Sequence, residues 1–94
     1  LKEVFGEAAR GIAMSSIKAA TGHMLGATAA VEIAATLLAM RDDFVPPTLN
    51  LEEKDKACDL DYTPLKARPK KIVTALKVSM GFGGQAMAIL LRKV

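Results

Sequence analysis

The sequence has little that would build a disulfide scaffold, a zinc site or an aromatic core. Its 94 residues include one cysteine, one histidine, one tyrosine, three phenylalanines and no tryptophan. A single cysteine excludes an internal disulfide framework and agrees with a reducing compartment, so we expect a cytoplasmic protein. One histidine and one cysteine fall short of the usual ligand count for zinc, so no metal site is expected. No cofactor is expected either.

Strong charge and a secretory leader are also missing. The net charge is +3, and the basic residues cluster in one short run, Lys66, Arg68, Lys70 and Lys71. No aromatic residues alternate with that run, so it predicts a solvated loop, with an acidic protein partner as the alternative, and does not indicate nucleic-acid binding. The chain opens with Leu1 and shows no basic and apolar leader pattern, so we expect a piece of a longer protein.

The residues that are abundant favour an α/β fold. Hydrophobic residues make up 51% of the chain and are mostly Ala, Leu, Val, Ile and Met. This composition is typical of a helical layer or of the interior of a larger α/β protein, and not of a small sandwich.

Periodicity and turn residues predict the order helix, strand, loop, buried helix, long loop, strand, glycine turn and strand. The ranges are 1–10, 12–16, 17–22, 24–40, 50–70, 70–80, 81–84 and 85–93, with a short strand near 60–62. The last two strands are expected to pair antiparallel. The segment 24–40 is apolar on every face, but Glu32 in its middle favours a buried helix over a membrane span.

Three polar residues stand within the apolar stretch 15–40, namely Lys18, His23 and Glu32. A carboxylate in the middle of an apolar helix needs a partner, and Lys18 could supply the cation. Breaking such a buried pair costs roughly 3–5 kcal/mol. The three residues are therefore either structural groups that satisfy one another or parts of an active site.

Two further features could take part in chemistry. His23 stands at the start of the predicted helix, where the dipole disfavours imidazolium, so a neutral ring could donate to an oxyanion or accept a proton. The alternative is that His23 only caps the helix. The segment GFGG allows close approach to a ligand with Phe82 at its tip, unless it is a plain turn with Phe82 in the core. Cys58 is interpreted as an ordinary half-buried cysteine.

Four segments together carry a family resemblance: SSIKAATGHMLGATAAVE, VPPTLNLEE, CDLDYTP and GFGG. They resemble the C-terminal half of β-ketoacyl-[acyl-carrier-protein] synthases, most closely the elongating synthase II type of the thiolase-like superfamily. The resemblance implies that residues 1–94 form a C-terminal thiolase-like domain, a fragment of a longer enzyme. A buried helix would pack on a mixed sheet that ends in a glycine-turn strand pair.

The resemblance also implies site residues and a reaction. His23 would support decarboxylation of malonyl-ACP and the condensation step, while Lys18 and Glu32 would be the lysine and buried acid of the same site. Phe82 would be the gating phenylalanine and contribute its N–H to the oxyanion hole, flanked by Gly81 and Gly83. The family mechanism is acyl transfer to a cysteine of the N-terminal part, followed by decarboxylation and Claisen condensation in fatty-acid or polyketide synthesis.

The partners implied by the resemblance are the acyl carrier protein and a second copy in a homodimer, with no nucleic acid and no membrane. Two alternatives to a catalytic role stay open. The chain could belong to a non-catalytic partner subunit like a chain-length factor, or to a carrier-protein-binding module.

The sequence departs from the family pattern on both sides of GFGG. The usual S-N-S-F before it is replaced by Lys77-Val78-Ser79-Met80, and the usual T-N after it by Gln85-Ala86. The two missing asparagines normally brace the loop by hydrogen bonds. Acyl-chain preference and gating are therefore the properties in which this chain is expected to differ.

Overall fold

The structure is a computed structural model that describes all 94 residues. The chain divides into two compact units. The first unit comprises Leu1–Gly22 and Val45–Arg68, and the second comprises His23–Phe44 and Pro69–Val94. The helices and strands are α1 Lys2–Phe5, α2 Lys18–Thr21, α3 Thr28–Asp42, β1 Phe44–Val45, β2 Arg68–Pro69, β3 Thr74–Met80 and β4 Ala86–Arg92. Three 3₁₀ turns cover Gly6–Gly11, Leu25–Ala27 and Phe82–Gly84.

Four hydrogen bonds of the first unit converge on Thr48, two at its side chain and two at its backbone. The Thr48 hydroxyl accepts the N–H of Ser16 at 3.1 Å and donates to the carbonyl of Tyr62 at 2.6 Å. Its backbone N–H donates to Thr63, and its carbonyl accepts the N–H of Leu65. A single threonine thus ties three loop segments together, which replaces the regular sheet that this part of the chain lacks.

The predicted strand over 12–16 is wrong. Only Ala13 forms a bridge, with Asp61, and the next residue donates its N–H to the Asp61 carbonyl at 2.8 Å. The ladder stops there because the N–H of Ser16 is taken by the side chain of Thr48 instead of a strand partner. The short strand expected near 60–62 is likewise present only as this bridge. Cys58 is exposed, not half-buried.

Helix α3 of the second unit starts at Thr28, four residues later than predicted, because a 3₁₀ turn precedes it. Its buried side chains are Thr28, Glu32 and Met40. Residues four apart share one helix face, so this set is a single stripe that packs against β3. Within these 94 residues burial is confined to this stripe: Val31, Leu37 and Leu38 lie on the other faces and are exposed.

The end of α3 is fixed by Asp43 and not by the two prolines that follow. Asp43 adopts the left-handed conformation, with φ 54°, and its N–H caps the carbonyl of Ala39. Its carboxylate accepts the N–H of Ile72 and the ammonium of Lys93, both at 2.8 Å. The Asp43 carbonyl also accepts the N–H of Lys70, so this residue ties the helix end to the later part of the unit.

Strands β3 and β4 form the predicted antiparallel hairpin around the glycine turn. The register runs from Thr74 opposite Arg92 to Met80 opposite Ala86. Alternate residues of β3 are half-buried, namely Ala75, Lys77 and Ser79. The predicted mixed sheet is present as two separate two-stranded sheets, β1 with β2 and β3 with β4.

The longest helix has 15 residues, and none has the length and apolarity required to cross a bilayer.

Candidate active site

His23 is oriented by its own neighbours at the start of the second unit. Its Nδ1 accepts the backbone N–H of Leu25 at 3.1 Å, and the hydroxyl oxygen of Thr28 lies 3.4 Å from the same nitrogen. The N–H of Met24 donates to that hydroxyl at 2.8 Å. Because Nδ1 accepts a hydrogen bond, a neutral His23 carries its proton on Nε2. The side chain is exposed, so Nε2 can donate to a bound substrate.

The alternative role predicted for His23 is to cap the helix and hydrogen-bond a neighbour. The neighbour bond is present, from the N–H of Leu25, whereas α3 has no side-chain cap. One ring nitrogen is indeed occupied by local bonds, and these bonds also set the tautomer. The histidine therefore has a structural contact at Nδ1, and in its neutral form a donor at Nε2.

Glu32 forms a buried ion pair with Lys77. Its carboxylate oxygen Oε2 lies 2.7 Å from Nζ of Lys77, and the two side chains are only 11% and 10% exposed. This pair confirms that the buried acid in the helix requires a cation. The cation found here comes from strand β3, and the sequence did not indicate it as a partner.

Lys18 is the first residue of α2 and is half-buried. It belongs to the first unit, whereas His23 and Glu32 belong to the second. The ion pair between Lys18 and Glu32 stays a prediction. The catalytic role of Lys18 likewise stays a prediction from the family resemblance.

The glycine turn leaves the phenyl ring of Phe82 95% exposed. Within these 94 residues the ring therefore packs in no core. Gly81 closes the turn, since its N–H donates to the carbonyl of Gln85 at 2.8 Å. Gly83 has φ 79° and ψ 17°, a conformation that side chains with a Cβ rarely adopt. The turn thus requires glycine at this position and projects an aromatic ring outward.

Sequence reasoning missed Thr28 and Lys77. Thr28 could have been found as a hydroxyl at the start of a helix, five residues after the histidine, where it can accept a preceding N–H. Lys77 had no such signal, because the alternation of β3 places the apolar Leu76, Val78 and Met80 on the opposite face and predicts that face as the buried one.

Comparison with known proteins identifies the family. Residues 1–52 match the domain described as "Beta-ketoacyl synthase, C-terminal domain". The chain belongs to the β-ketoacyl synthase family. This confirms the resemblance on which the sequence interpretation rested.

Two relatives among the β-ketoacyl synthases match nearly the whole chain. The 3-oxoacyl-[acyl-carrier-protein] synthase 2 of Coxiella burnetii is 48% identical over 94 residues, which are 100% of this chain and 23% of that protein. The actinorhodin polyketide putative β-ketoacyl synthase 1 of Streptomyces coelicolor is 50% identical over 91 residues, 97% of this chain and 20% of that protein. The chain thus spans about a quarter or less of the length of these relatives.

Solved ketosynthase structures confirm the predicted α/β fold class. A type II polyketide synthase acyl-carrier protein in complex with its ketosynthase, bound to the hexaketide, contains a chain that superposes with a TM-score of 0.96. The identity is 44%, covering 99% of this chain and 23% of that one. The ishigamide ketosynthase/chain length factor superposes with a TM-score of 0.84 at 30% identity, covering 87% of this chain and 20% of that one.

No group of three or more His, Cys, Asp and Glu side chains is placed to hold a metal ion. The residues that the resemblance assigns to the site have side chains and N–H groups suited to proton transfer, charge stabilisation and substrate positioning. All of them except Lys18 lie in the second unit, together with Lys77.

Proposed function

We propose that the chain is the C-terminal part of an enzyme that condenses malonyl-ACP with an acyl thioester in fatty-acid or polyketide synthesis. The observation that carries this proposal is the hydrogen bond that the N–H of Leu25 donates to Nδ1 of His23. A local N–H bond at Nδ1 leaves the proton on Nε2, where the exposed ring can present it to substrate.

His23 acts at the decarboxylation step. When malonyl-ACP loses CO₂, the electron pair of the broken C–C bond passes into an enolate whose negative charge lies on the thioester oxygen. The Nε2–H group of His23 donates to that oxygen. A preorganised donor of this kind contributes about 10²–10³ in rate.

The glycine turn acts at the condensation step. The enolate carbon attacks the acyl thioester on the cysteine, a C–C bond forms, and the C–S bond breaks to release the thiolate. The oxyanion formed on the acyl carbonyl accepts the N–H of Phe82, and the exposed phenyl ring of that residue controls access. The turn therefore stabilises charge on the acyl group, while His23 stabilises charge on the malonyl group.

The nucleophilic cysteine belongs to the part of the enzyme that precedes these residues. Cys58 is exposed and lies in the first unit, in the CDLD segment, which is not the nucleophile position of the family. The proposed partner is the acyl carrier protein, as in the solved complex of a related ketosynthase with its carrier. The proposed enzyme is a cytoplasmic homodimer that needs neither a metal nor an organic cofactor.

The test uses the full-length protein with malonyl-ACP and an acyl-ACP. We expect formation of 3-oxoacyl-ACP and of CO₂, and we expect His23→Ala to lower the rate of CO₂ release by about 10²-fold or more. Glu7→Ala, at an exposed position of the first unit, is the control and should leave both rates unchanged. A His23→Ala variant that releases CO₂ at the original rate would refute the assigned role.

A second candidate is a non-catalytic subunit that resembles a chain-length factor. The similarity to the ishigamide ketosynthase/chain length factor supports it. The residue at the nucleophile position of the full-length protein separates the two candidates, because an active synthase has cysteine there and a chain-length factor has glutamine. Binding of the carrier by this chain without any condensation would favour the third candidate, a carrier-binding module.

A further inference from the structure

Lys77 occupies a position with three acceptors around its ammonium group. Nζ lies 2.7 Å from Oε2 of Glu32, 2.7 Å from the carbonyl oxygen of Val78 and 2.5 Å from Oγ of Ser79. An ammonium group has three N–H donors, so each of them has an acceptor here. With the side chain 10% exposed, these bonds are formed largely away from water.

The three acceptors come from two elements that approach different parts of the proposed site. Glu32 belongs to α3, which begins with Thr28, the residue that contacts His23. Ser79 belongs to β3 and stands two residues before Gly81, where the glycine turn starts. Lys77 therefore joins the helix to the last residues of the strand that leads into the turn.

The side chains that flank the turn add little to the backbone bonds of the hairpin, which are the pairing of β3 with β4 and the bond from Gly81 to Gln85. Val78 and Ala86 stand where the family pattern has asparagines, and neither has a polar side chain. Gly83 and Gly84 both have positive φ and contribute no side-chain contacts. The position of Phe82 thus depends on the end of β3, which is held by its pairing with β4 and by the side-chain contacts of Lys77.

We propose that Lys77 is a positioning residue of the glycine turn, and that it acts by holding Ser79 and Glu32 together. The predicted effect on catalysis rests on the proposed function, in which the glycine turn acts in condensation and His23 acts in decarboxylation. The contacts that orient His23 lie within residues 23–28 and do not include Lys77. Loss of the lysine should therefore impair condensation more than decarboxylation.

The experiment compares four variants of the full-length protein. Lys77→Met removes the ammonium and keeps the length of the side chain, and Lys77→Ser provides the family residue in case the methionine variant does not fold. Lys77→Arg keeps the positive charge. Lys93→Met is the matched control, because it removes a more exposed ion pair of the same unit, with Asp43.

Amide hydrogen exchange of residues 79–86 is the first measurement and needs no activity. We expect Lys77→Met to speed exchange there by about tenfold or more, the change expected from losing a charge-assisted hydrogen bond. Lys77→Arg and Lys93→Met should change it by less than about threefold. Unchanged exchange in both Lys77→Met and Lys77→Ser would overturn the proposal.

The second measurement is the ratio of 3-oxoacyl-ACP formed to CO₂ released. We expect Lys77→Met to lower product formation by about tenfold and CO₂ release by less than about threefold, with recovery of the ratio in Lys77→Arg. Equal losses of both would indicate a merely structural role and overturn the proposal. If the unsubstituted protein forms neither product nor CO₂, the proposed function fails, and hydrogen exchange still decides the role of Lys77.

Discussion

Replacement of Thr28 by valine tests how the orientation of His23 is maintained. Valine has nearly the shape of threonine, so Thr28→Val removes the hydroxyl group and little else. The hydroxyl is in a residue that is 6% exposed, accepts the N–H of Met24 at 2.8 Å and lies 3.4 Å from Nδ1 of His23. The substitution leaves a partly buried N–H without this acceptor and removes one of the two groups beside the ring nitrogen.

The expected cost of losing this acceptor is about 1–3 kcal/mol. If the whole cost appears as displacement of the segment that carries His23, the productive geometry loses population by about 5- to 150-fold. We therefore expect the rate of CO₂ release from malonyl-ACP to fall by about tenfold, with the affinity for malonyl-ACP little changed.

The assay is single-turnover release of labelled CO₂ by the full-length protein, together with its thermal unfolding. Thr28→Ser is the matched control, because it keeps the hydroxyl group and loses one methyl group. We expect Thr28→Ser to keep most of the rate, although the lost methyl group lowers stability by about 1 kcal/mol. If the valine variant keeps the original rate, or if serine and valine slow it equally, the hydroxyl does not orient His23.

Three further predictions concern other parts of the second unit. The N–H of Ile72 and the ammonium of Lys93 hold the pKa of Asp43 below its usual value, so its contribution to stability is present above about pH 4 and is lost as the pH falls through the lowered pKa. Asp43→Asn should lower stability at pH 7 and reduce its loss on acidification, measured by denaturant unfolding at several pH values. Gly83→Ala should destabilise the hairpin by about 1–2 kcal/mol, because φ is 79°, and a hairpin of unchanged stability would contradict this. Phe82→Ala should broaden the range of acyl chains accepted, measured by competition between acyl-ACPs, while unchanged selectivity would exclude the ring as a gate.

The hairpin was predictable from the sequence because its signals are local. The β-branched residues of 70–80 and the glycines of 81–84 favour two strands around a tight turn, and each signal lies within a few residues of its effect. The helix was predicted in type but not in its start. His23, Leu25 and Thr28 form a local network that delays the α-helix, and residue periodicity does not detect such hydrogen bonds.

Residues of the candidate site could be predicted from the sequence only where they belong to a recognisable family motif. His23 and Phe82 stand in the blocks TGH and GFGG, so the resemblance could assign them roles. Lys77 stands at a position where the family pattern differs, so no motif identified it. The strand over 12–16 was wrong because pairing depends on partners far along the chain, and there Thr48 competes for the N–H of Ser16.

The contacts of Asp43 have a consequence for the order in which the second unit forms during synthesis. The two donors to its carboxylate lie 29 and 50 residues later in the chain. At about 5–20 residues per second, the second donor is made roughly 3–10 s after Asp43 itself. A helix of 15 residues is near the lower limit of stability in isolation. Until those residues have been made, α3 lacks both the contacts of Asp43 and the strand β3 against which its buried stripe packs, so its final packing waits for the later part of the chain.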